Sequence, residues 1–295
     1  MEQSNNFKGR LIVAAVIALI GLFMYMNNME VNPVTGVKQH VAISPDQEIR
    51  LGLESAPEMA REMGGLVPLN DPRAIEVQKI GNYIVSRSVS GNSPWKFKFH
   101  LLADKKTVNA FALPGGQIFI TLGLLDQLQT EAQLAGVLSH EIGHVIERHS
   151  AQQMAKNQLG QSLIAAVATG SNQESHSLMI ASVVNQMIQL RYGRHDESQA
   201  DEWGLKLMEK AGYNPRAMIR VMEILKAAGG GGKGIEMFQS HPNPDLRIEQ
   251  INAYLEEHPP EPGLSEGKSL KEVLRRSEGT ERTGDILERV SSWPW

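Results

Sequence analysis

The sequence predicts an α+β fold, mostly helical with a small antiparallel sheet, preceded by one N-terminal transmembrane helix. Three observations carry this expectation. An uncharged apolar run, LIVAAVIALIGLFMYM, covers Leu11–Met26 directly after Lys8 and Arg10. Alternating, β-rich stretches are confined to one region, PWKFKFHLLA and NAFALPGGQIFITLGLL. Helical periodicity lies on both sides of that region, the segregation expected of an α+β domain.

The apolar run comes first. At about 1.5 Å per residue it comes close to spanning a hydrocarbon layer of about 30 Å. NNMEVNPV, which follows it, offers no small-x-small cleavage site. We therefore read 11–28 as an uncleaved anchor, with a cleaved signal peptide as the alternative. The positive flank precedes the run, so 1–10 is expected in the cytoplasm and everything after the span on the far side.

Residues 29–45 read as a polar linker with Pro and Gly, and 46–258 as one folded domain. Ser44-Pro45 is a helix start, with Ser44 as N-cap and Pro45 at the first helical position. The helical pattern runs to about Met63. Asp71-Pro72 starts a second helix, ending near Ser88. PWKFKFHLLA alternates as a strand, and Leu113-Pro114-Gly115-Gly116 turns a hairpin between two β-rich runs. A long helix starts at Thr130-Glu131. The apolar patches LIAAVA (163–168) and LMIASVV (178–184) are too short to span a bilayer and read as core helix. The alternative for both is a surface that touches the membrane or covers the active site. GGGGKG (229–234) is a loop, and 259–295, charged and broken by Gly and Pro, a loosely packed tail.

Composition narrows the chemistry. The 295 residues carry a net charge of −4 and no cysteine. Disulfides, thiolate metal sites and lipoprotein acylation are excluded. No basic block points to nucleic acid, and nothing specifies an oligomeric state.

The long helix carries LSHEIGHVIERH, from Leu138 to His149. His140 and His144, four apart, share one helix face, a spacing that lets two imidazoles reach one zinc ion. Glu141 flanks that face, close enough to act on a metal-bound water without ligating. Leu134, Val137, Leu138, Ile142 and Val145 surround the polar trio. The trio is therefore expected to be buried or in a cleft, where it needs a partner such as a metal. Gly136 and Gly143 each weaken the helix, and close approach of another element beside the metal is one reason to keep them. Ser150 occupies the position where a three-histidine metzincin has its third ligand. His149 falls on the opposite face of a continuous helix and reads as structural or superficial.

A catalytic zinc needs a third protein ligand. The best source is RHDESQADEWG, a helix with Glu197 and Asp201 four apart on one face. One carboxylate can bind the metal while the other takes the N–H of a ligand histidine. His195, Asp196 and Glu202 are nearby decoys.

With these stretches assembled, the chain resembles the HtpX, BepA and CAAX-prenyl-protease family of zinc metallopeptidases, within the gluzincin group. Four stretches carry the resemblance in order: NAFALPGGQIFITLGLL, LSHEIGHVIERHS, RHDESQADEWG and SHPNPDLRI. It covers roughly Ile43 to Leu255 and implies a zincin-type domain. It also implies one zinc ion held by His140, His144 and Glu197, with Glu141 as general base and Asp201 behind a ligand histidine. His241 would stabilise the oxyanion or occupy the fourth coordination position at rest. Arg247 would stabilise charge or serve structurally. Asn109, Ala110, Phe111 and Ala112 match the strand that takes substrate as an added strand.

The resemblance further implies an endopeptidase acting on misfolded or unassembled envelope proteins. It would sit in the bacterial inner membrane with its catalytic domain in the periplasm, or be secreted there after signal cleavage. The alternative is a chaperone or adaptor for unfolded envelope proteins with latent protease activity. A CAAX-processing role would need several membrane spans, and this chain shows one.

Overall fold

The computed structural model describes residues 2–167, 192–229 and 241–272. The patch at 178–184, the body of the Gly-rich loop and the chain beyond 272 lie outside the described residues. So do the side chains at 163–168, whose backbone closes a helix through Val167.

Helix α1 (Glu2–Asn27) leads into two short strands, β1 (Met29–Val31) and β2 (Lys38–His40). Next come α2 (Pro45–Glu62), α3 (Pro72–Ser86), β3 (Lys98–Leu102), β4 (Ala110–Leu113), β5 (Gln117–Thr121) and the single turn α4 (Leu122–Leu125). The chain continues with α5 (Glu131–Ile146), α6 (His149–Val167), α7 (Arg194–Lys210), α8 (Ala217–Gly229) and α9 (Pro244–Glu257).

Local chemistry explains several starts. Ser44 caps α2 through a capping box with Gln47, with Pro45 at the first position. Asp71 caps α3 ahead of Pro72. Thr130 and Gln133 form a second capping box at α5.

The three-stranded sheet has the order β3-β5-β4. It is mixed rather than antiparallel: β4 and β5 form the expected hairpin, but β5 runs parallel to β3, Lys98 opposite Gln117. After β3 the chain crosses to the far edge, and the hairpin brings it back between the two strands. Gly115, at φ 78°, makes that turn, and a Cβ there would meet the Ile49 backbone at 2.4 Å.

Both faces of the sheet are covered, as strand periodicity requires. Phe99, Leu101, Ile118 and Ile120 join the core formed with α3 and α5. Leu102, Phe119 and Leu113 pack with α2 residues Leu51, Ala56 and Met59.

Helix α5 is the centre of the domain, buried at every position from Glu131 to Ile146. It packs against α3, α7, α8 and β4. A helix buried at both ends needs remote partners for its unpaired backbone groups. At the N-terminal end, Glu131 N and Ala132 N donate to Lys268 O and Glu266 O, each at 3.0 Å. Residues 265–270 therefore dock against this end of α5, with Leu270 buried. At the C-terminal end, Asn32 Nδ2 donates to Ile146 O at 2.7 Å and Gln39 Nε2 to Glu147 O at 3.0 Å. Both donors lie in the β1–β2 hairpin region, which the sequence reading took for a polar linker.

Helix α1 lies against α6, and its apolar side chains Ile12, Leu19 and Phe23 are exposed. Among the described residues, no helix is long and apolar enough to cross a membrane. The anchor therefore rests on the sequence pattern.

Candidate metal centre

Helix α5 presents His140 and His144 one turn apart, with Nε2 atoms 3.0 Å from each other. Helix α7 crosses α5 at Gly143, where an added Cβ would meet Ala200 O at 2.9 Å and Trp203 Cβ at 3.0 Å. This is the close approach expected at one of the two glycines. At Gly136 the nearest atoms are 3.5–3.7 Å away, ordinary contact. The crossing brings Glu197, in the first turn of α7, to 3.5 Å from His140 Nε2 and 3.6 Å from His144 Nε2. His241, just before α9, completes the group: its Nδ1 is 2.9 Å from Glu197 Oε1 and 3.3 Å from His140 Nε2.

These four residues are buried, and one ligand atom from each falls within 4.8 Å of all the others. Ligands 2.0–2.1 Å from a tetrahedral zinc sit about 3.3 Å apart. Five of the separations, from 2.9 to 3.6 Å, bracket that spacing, and all lie within the 4.8 Å limit of the group. Three imidazoles and a carboxylate converging without solvent make a donor set that fits a borderline divalent cation.

The surrounding groups hold this set. Asp201, one turn after Glu197, places Oδ1 2.9 Å from His140 Nδ1, so that N–H donates to a carboxylate and Nε2 keeps its lone pair. Arg247, in the first turn of α9, donates from Nε to Asp201 Oδ2 at 2.7 Å, and its Nη1 lies 2.9 Å from Glu197 Oε2. Its guanidinium is thus turned to two carboxylates. Burial works against the charges of Asp201 and Glu197. The Arg247 charge at Asp201, and those of His241 and Arg247 at Glu197, overcome it and hold both carboxyls below their usual range. Burial also opposes the His241 charge, but Glu197 outweighs it and raises that pKa.

Glu141 is different. Both its oxygens are buried without a hydrogen-bond partner, and burial raises its pKa. Its nearest charged neighbour is His241, with Nε2 3.7 Å from Oε1.

The remaining expected site residues lie on β4 or just before it. Asn109 is buried, with Oδ1 unpartnered. Ala110 and Ala112 point into the α5 side of the core, and Phe111 stacks on Phe119 on the other face, centroids 5.1 Å apart. Their side chains are engaged in packing, which leaves the backbone edge of β4 to meet another strand. Among the described residues β4 pairs with β5 alone.

Sequence reasoning missed three contributors. α5 stops at Ile146, Arg148 takes φ 58°, and α6 begins at His149. His149 is therefore not on the far face of a continuous helix. It is buried, held neutral by burial with its pKa down to about 4, and its Nδ1 lies 2.9 Å from His144 Nδ1. Tyr192 stacks on the His144 ring with centroids 4.0 Å apart, its hydroxyl 3.2 Å from Ser150 Oγ. Gln199 Oε1 lies 3.3 Å from His149 Nε2. No Gly or Pro marks the break at Arg148, so no local signal revealed it.

The description Peptidase family M48 matches residues 72–255, a span that contains every residue of the cluster. The chain belongs to that family. By class it is a metalloendopeptidase. Among its relatives is the mitochondrial metalloendopeptidase OMA1 of Schizosaccharomyces pombe, 33% identical over 251 residues, covering 83% of this chain and 72% of that protein. The beta-barrel assembly-enhancing protease of Escherichia coli K12 is 27% identical over 260 residues, covering 84% of this chain and 51% of that one. OMA1 of Saccharomyces cerevisiae is 25% identical over 279 residues, covering 86% and 79%. The chain thus spans about half the length of the E. coli relative and more of the two OMA1 proteins.

Proposed function

We propose that this M48 peptidase is a zinc-dependent endopeptidase that hydrolyses peptide bonds of misfolded or unassembled envelope proteins. One observation carries the chemistry: His140, His144 and Glu197 converge at zinc-ligand spacing while the Glu141 carboxylate lies beside them, buried and without a hydrogen bond. A zinc ion held there would polarise the peptide carbonyl and lower the pKa of water to about 7.

Glu141 takes the proton of the attacking water and passes it to the leaving amine. Its raised pKa suits a group that must hold the proton between the two transfers. Asp201 and Arg247 keep His140 and Glu197 in place. His241 reaches the cluster through Nδ1 and faces Glu141 through Nε2. It serves as a fourth ligand in the resting state or as a donor to the oxyanion once displaced. The edge of β4, at Asn109–Ala112, accepts an extended segment by backbone pairing, which suits substrates recognised by their unfolded state.

The substrate class is supported by the name of one relative, a beta-barrel assembly-enhancing protease. The location we propose is the bacterial inner membrane, with α1 as anchor, the N-terminus cytoplasmic and the catalytic domain periplasmic. Secretion after cleavage is the alternative. The uncharged run Leu11–Met26 and the exposed apolar side chains of α1 support the anchor.

A second reading is favoured by His241 itself. A fourth side chain in the cluster closes the position that water needs, which fits a chaperone or adaptor with latent protease activity. Metal content and casein degradation, measured on wild type and Glu141→Gln, test the main reading. Wild type should carry one zinc ion per chain and degrade casein, and the variant should keep the zinc and lose degradation. Casein cleavage by the variant at the parent rate rejects the mechanism. Full rescue of a deletion strain by Glu141→Gln selects the chaperone reading.

A further inference from the structure

We propose that His149 is a positioning residue for the metal, accepting a hydrogen bond from His144 Nδ1–H and thereby fixing the tautomer that leaves His144 Nε2 free to ligate. This rests on the metal reading above and assigns a role to a side chain outside the ligand set.

The argument is proton accounting along a buried chain. His144 Nδ1 is 2.9 Å from His149 Nδ1, and His149 Nε2 is 3.3 Å from Gln199 Oε1. A neutral imidazole has one N–H, and two facing nitrogens at this distance need one donor and one acceptor. Two arrangements satisfy the whole chain. In the first, His144 Nδ1–H donates to His149 Nδ1, and His149 Nε2–H donates to the Gln199 carbonyl oxygen. In the second every bond is reversed: the Gln199 amide turns to donate, and His144 carries its proton on Nε2. That proton would point at His140 Nε2, 3.0 Å away, and no lone pair would face the ion. Only the first arrangement is compatible with ligation through Nε2.

His140 obtains the same tautomer from the Asp201 carboxylate. The two ligand histidines thus differ: one is backed by an anion, the other by a neutral imidazole–amide relay. The buried centre already holds three carboxylates, Glu141, Glu197 and Asp201, beside Arg247 and His241. A neutral relay orients His144 without adding a fourth. Tyr192, stacked on the His144 ring, fixes the ring plane, while His149 fixes rotation within it. The break at Arg148 makes this possible. Five residues along a continuous helix would place His149 about 140° away from His144.

The test uses the full-length protein in detergent, stripped of metal. Zinc affinity is measured by competition with a chelating indicator for wild type, His149→Phe, His149→Asn and Gln199→Leu. Phe keeps a ring but offers no acceptor, and Asn restores an acceptor oxygen near the Nδ1 position. His149→Phe should bind zinc about 10- to 100-fold more weakly. His149→Asn should recover most of that loss, and Gln199→Leu should lose less than His149→Phe. Nitrogen-15 NMR of histidine-labelled, metal-free wild type should show His144 protonated at Nδ1, and His149→Phe should lose that preference. Because the NMR arm needs only wild type and Gln199 is half-buried, the test survives a failure of His149→Phe to fold. Unchanged affinity in His149→Phe, equal losses in Phe and Asn, or a wild-type His144 protonated at Nε2 each overturn the proposal. A wild type that binds no zinc overturns the metal reading instead, and this inference with it.

Discussion

At the scale of single residues, the deciding contrast is between carboxylates that are paired and those that are not. Asp201 and Glu197 face Arg247 and stay charged, whereas Glu141 is buried without a hydrogen bond and has His241 Nε2 as its charged neighbour, at 3.7 Å. Replacing Glu141 by Gln leaves the ligands untouched. Turnover of casein should therefore fall about 100- to 10,000-fold, the usual range for a general base, with zinc content unchanged by atomic absorption. A second buried carboxylate gives a stability prediction. Glu48 accepts from Arg148 Nε at 2.7 Å, yet burial outweighs that attraction and pushes its pKa from 4.5 up to about 7. The folded state thus binds a proton that the unfolded chain has released. The stabilising contribution is complete below about pH 4.5 and is lost as pH rises through 7. The loss is about 3 kcal/mol if the whole shift is expressed. Urea midpoints measured at pH 5 and pH 7.5 should therefore fall more with pH in wild type than in Glu48→Gln. Equal slopes would remove Glu48 as the cause.

At the scale of elements, the site is a crossing of two helices held close by one glycine. Gly143 admits Ala200 and Trp203 of α7, while Gly136 merely touches Met208 and Met218. The same substitution should then act in opposite directions. Gly143→Ala pushes α7 away and should cost about 1–3 kcal/mol, the range for overpacking. It should also weaken zinc binding, because Glu197 moves with α7. Gly136→Ala gains helix propensity, about 1 kcal/mol at most, and leaves zinc affinity unchanged. Thermal melts and zinc titrations on the two variants check both halves. This scale also separates what sequence reveals from what it hides. The starts of α2, α3 and α5 were legible because Ser44, Asp71 and Thr130 cap through bonds to residues two or three positions away. The pairing of His140 with His144, and of Glu197 with Asp201, was legible because helical phase is local. The end of α5 was not. Arg148 adopts φ 58° because its side chain bonds Glu48, Glu30 and Ile43 O, a hundred residues or more away in sequence. The cost of that conformation, about 1–2 kcal/mol for a residue with a Cβ, is met by partners that no local pattern announces.

For the whole molecule, the helix that carries His140 and His144 is closed at each end by a segment that lies outside the domain as the sequence reads. Residues 266–268 receive the first N–H groups of α5, and the β1–β2 hairpin region donates to its last carbonyls. The parallel pairing of β3 with β5 was hidden for the same reason, since strand order depends on where a crossing chain returns. These distant closures make a truncation series informative. Removing 1–27 deletes α1 and should move the protein from the membrane fraction to the soluble one, with zinc binding intact. Removing 1–41 also takes away Asn32, Gln39 and Glu30. Ile146 O then loses its side-chain donor, Glu147 O keeps only Gln152 Nε2, and Arg148 loses one of its two carboxylates. At about 1 kcal/mol per net hydrogen bond, the second truncation should be less stable than the first by about 2–3 kcal/mol in urea denaturation. It should also bind zinc more weakly, because Arg148 sets the turn from which His149 reaches His144. If the two truncations unfold at the same urea concentration, the hairpin is a spacer after all, and α5 keeps its C-terminal end without it.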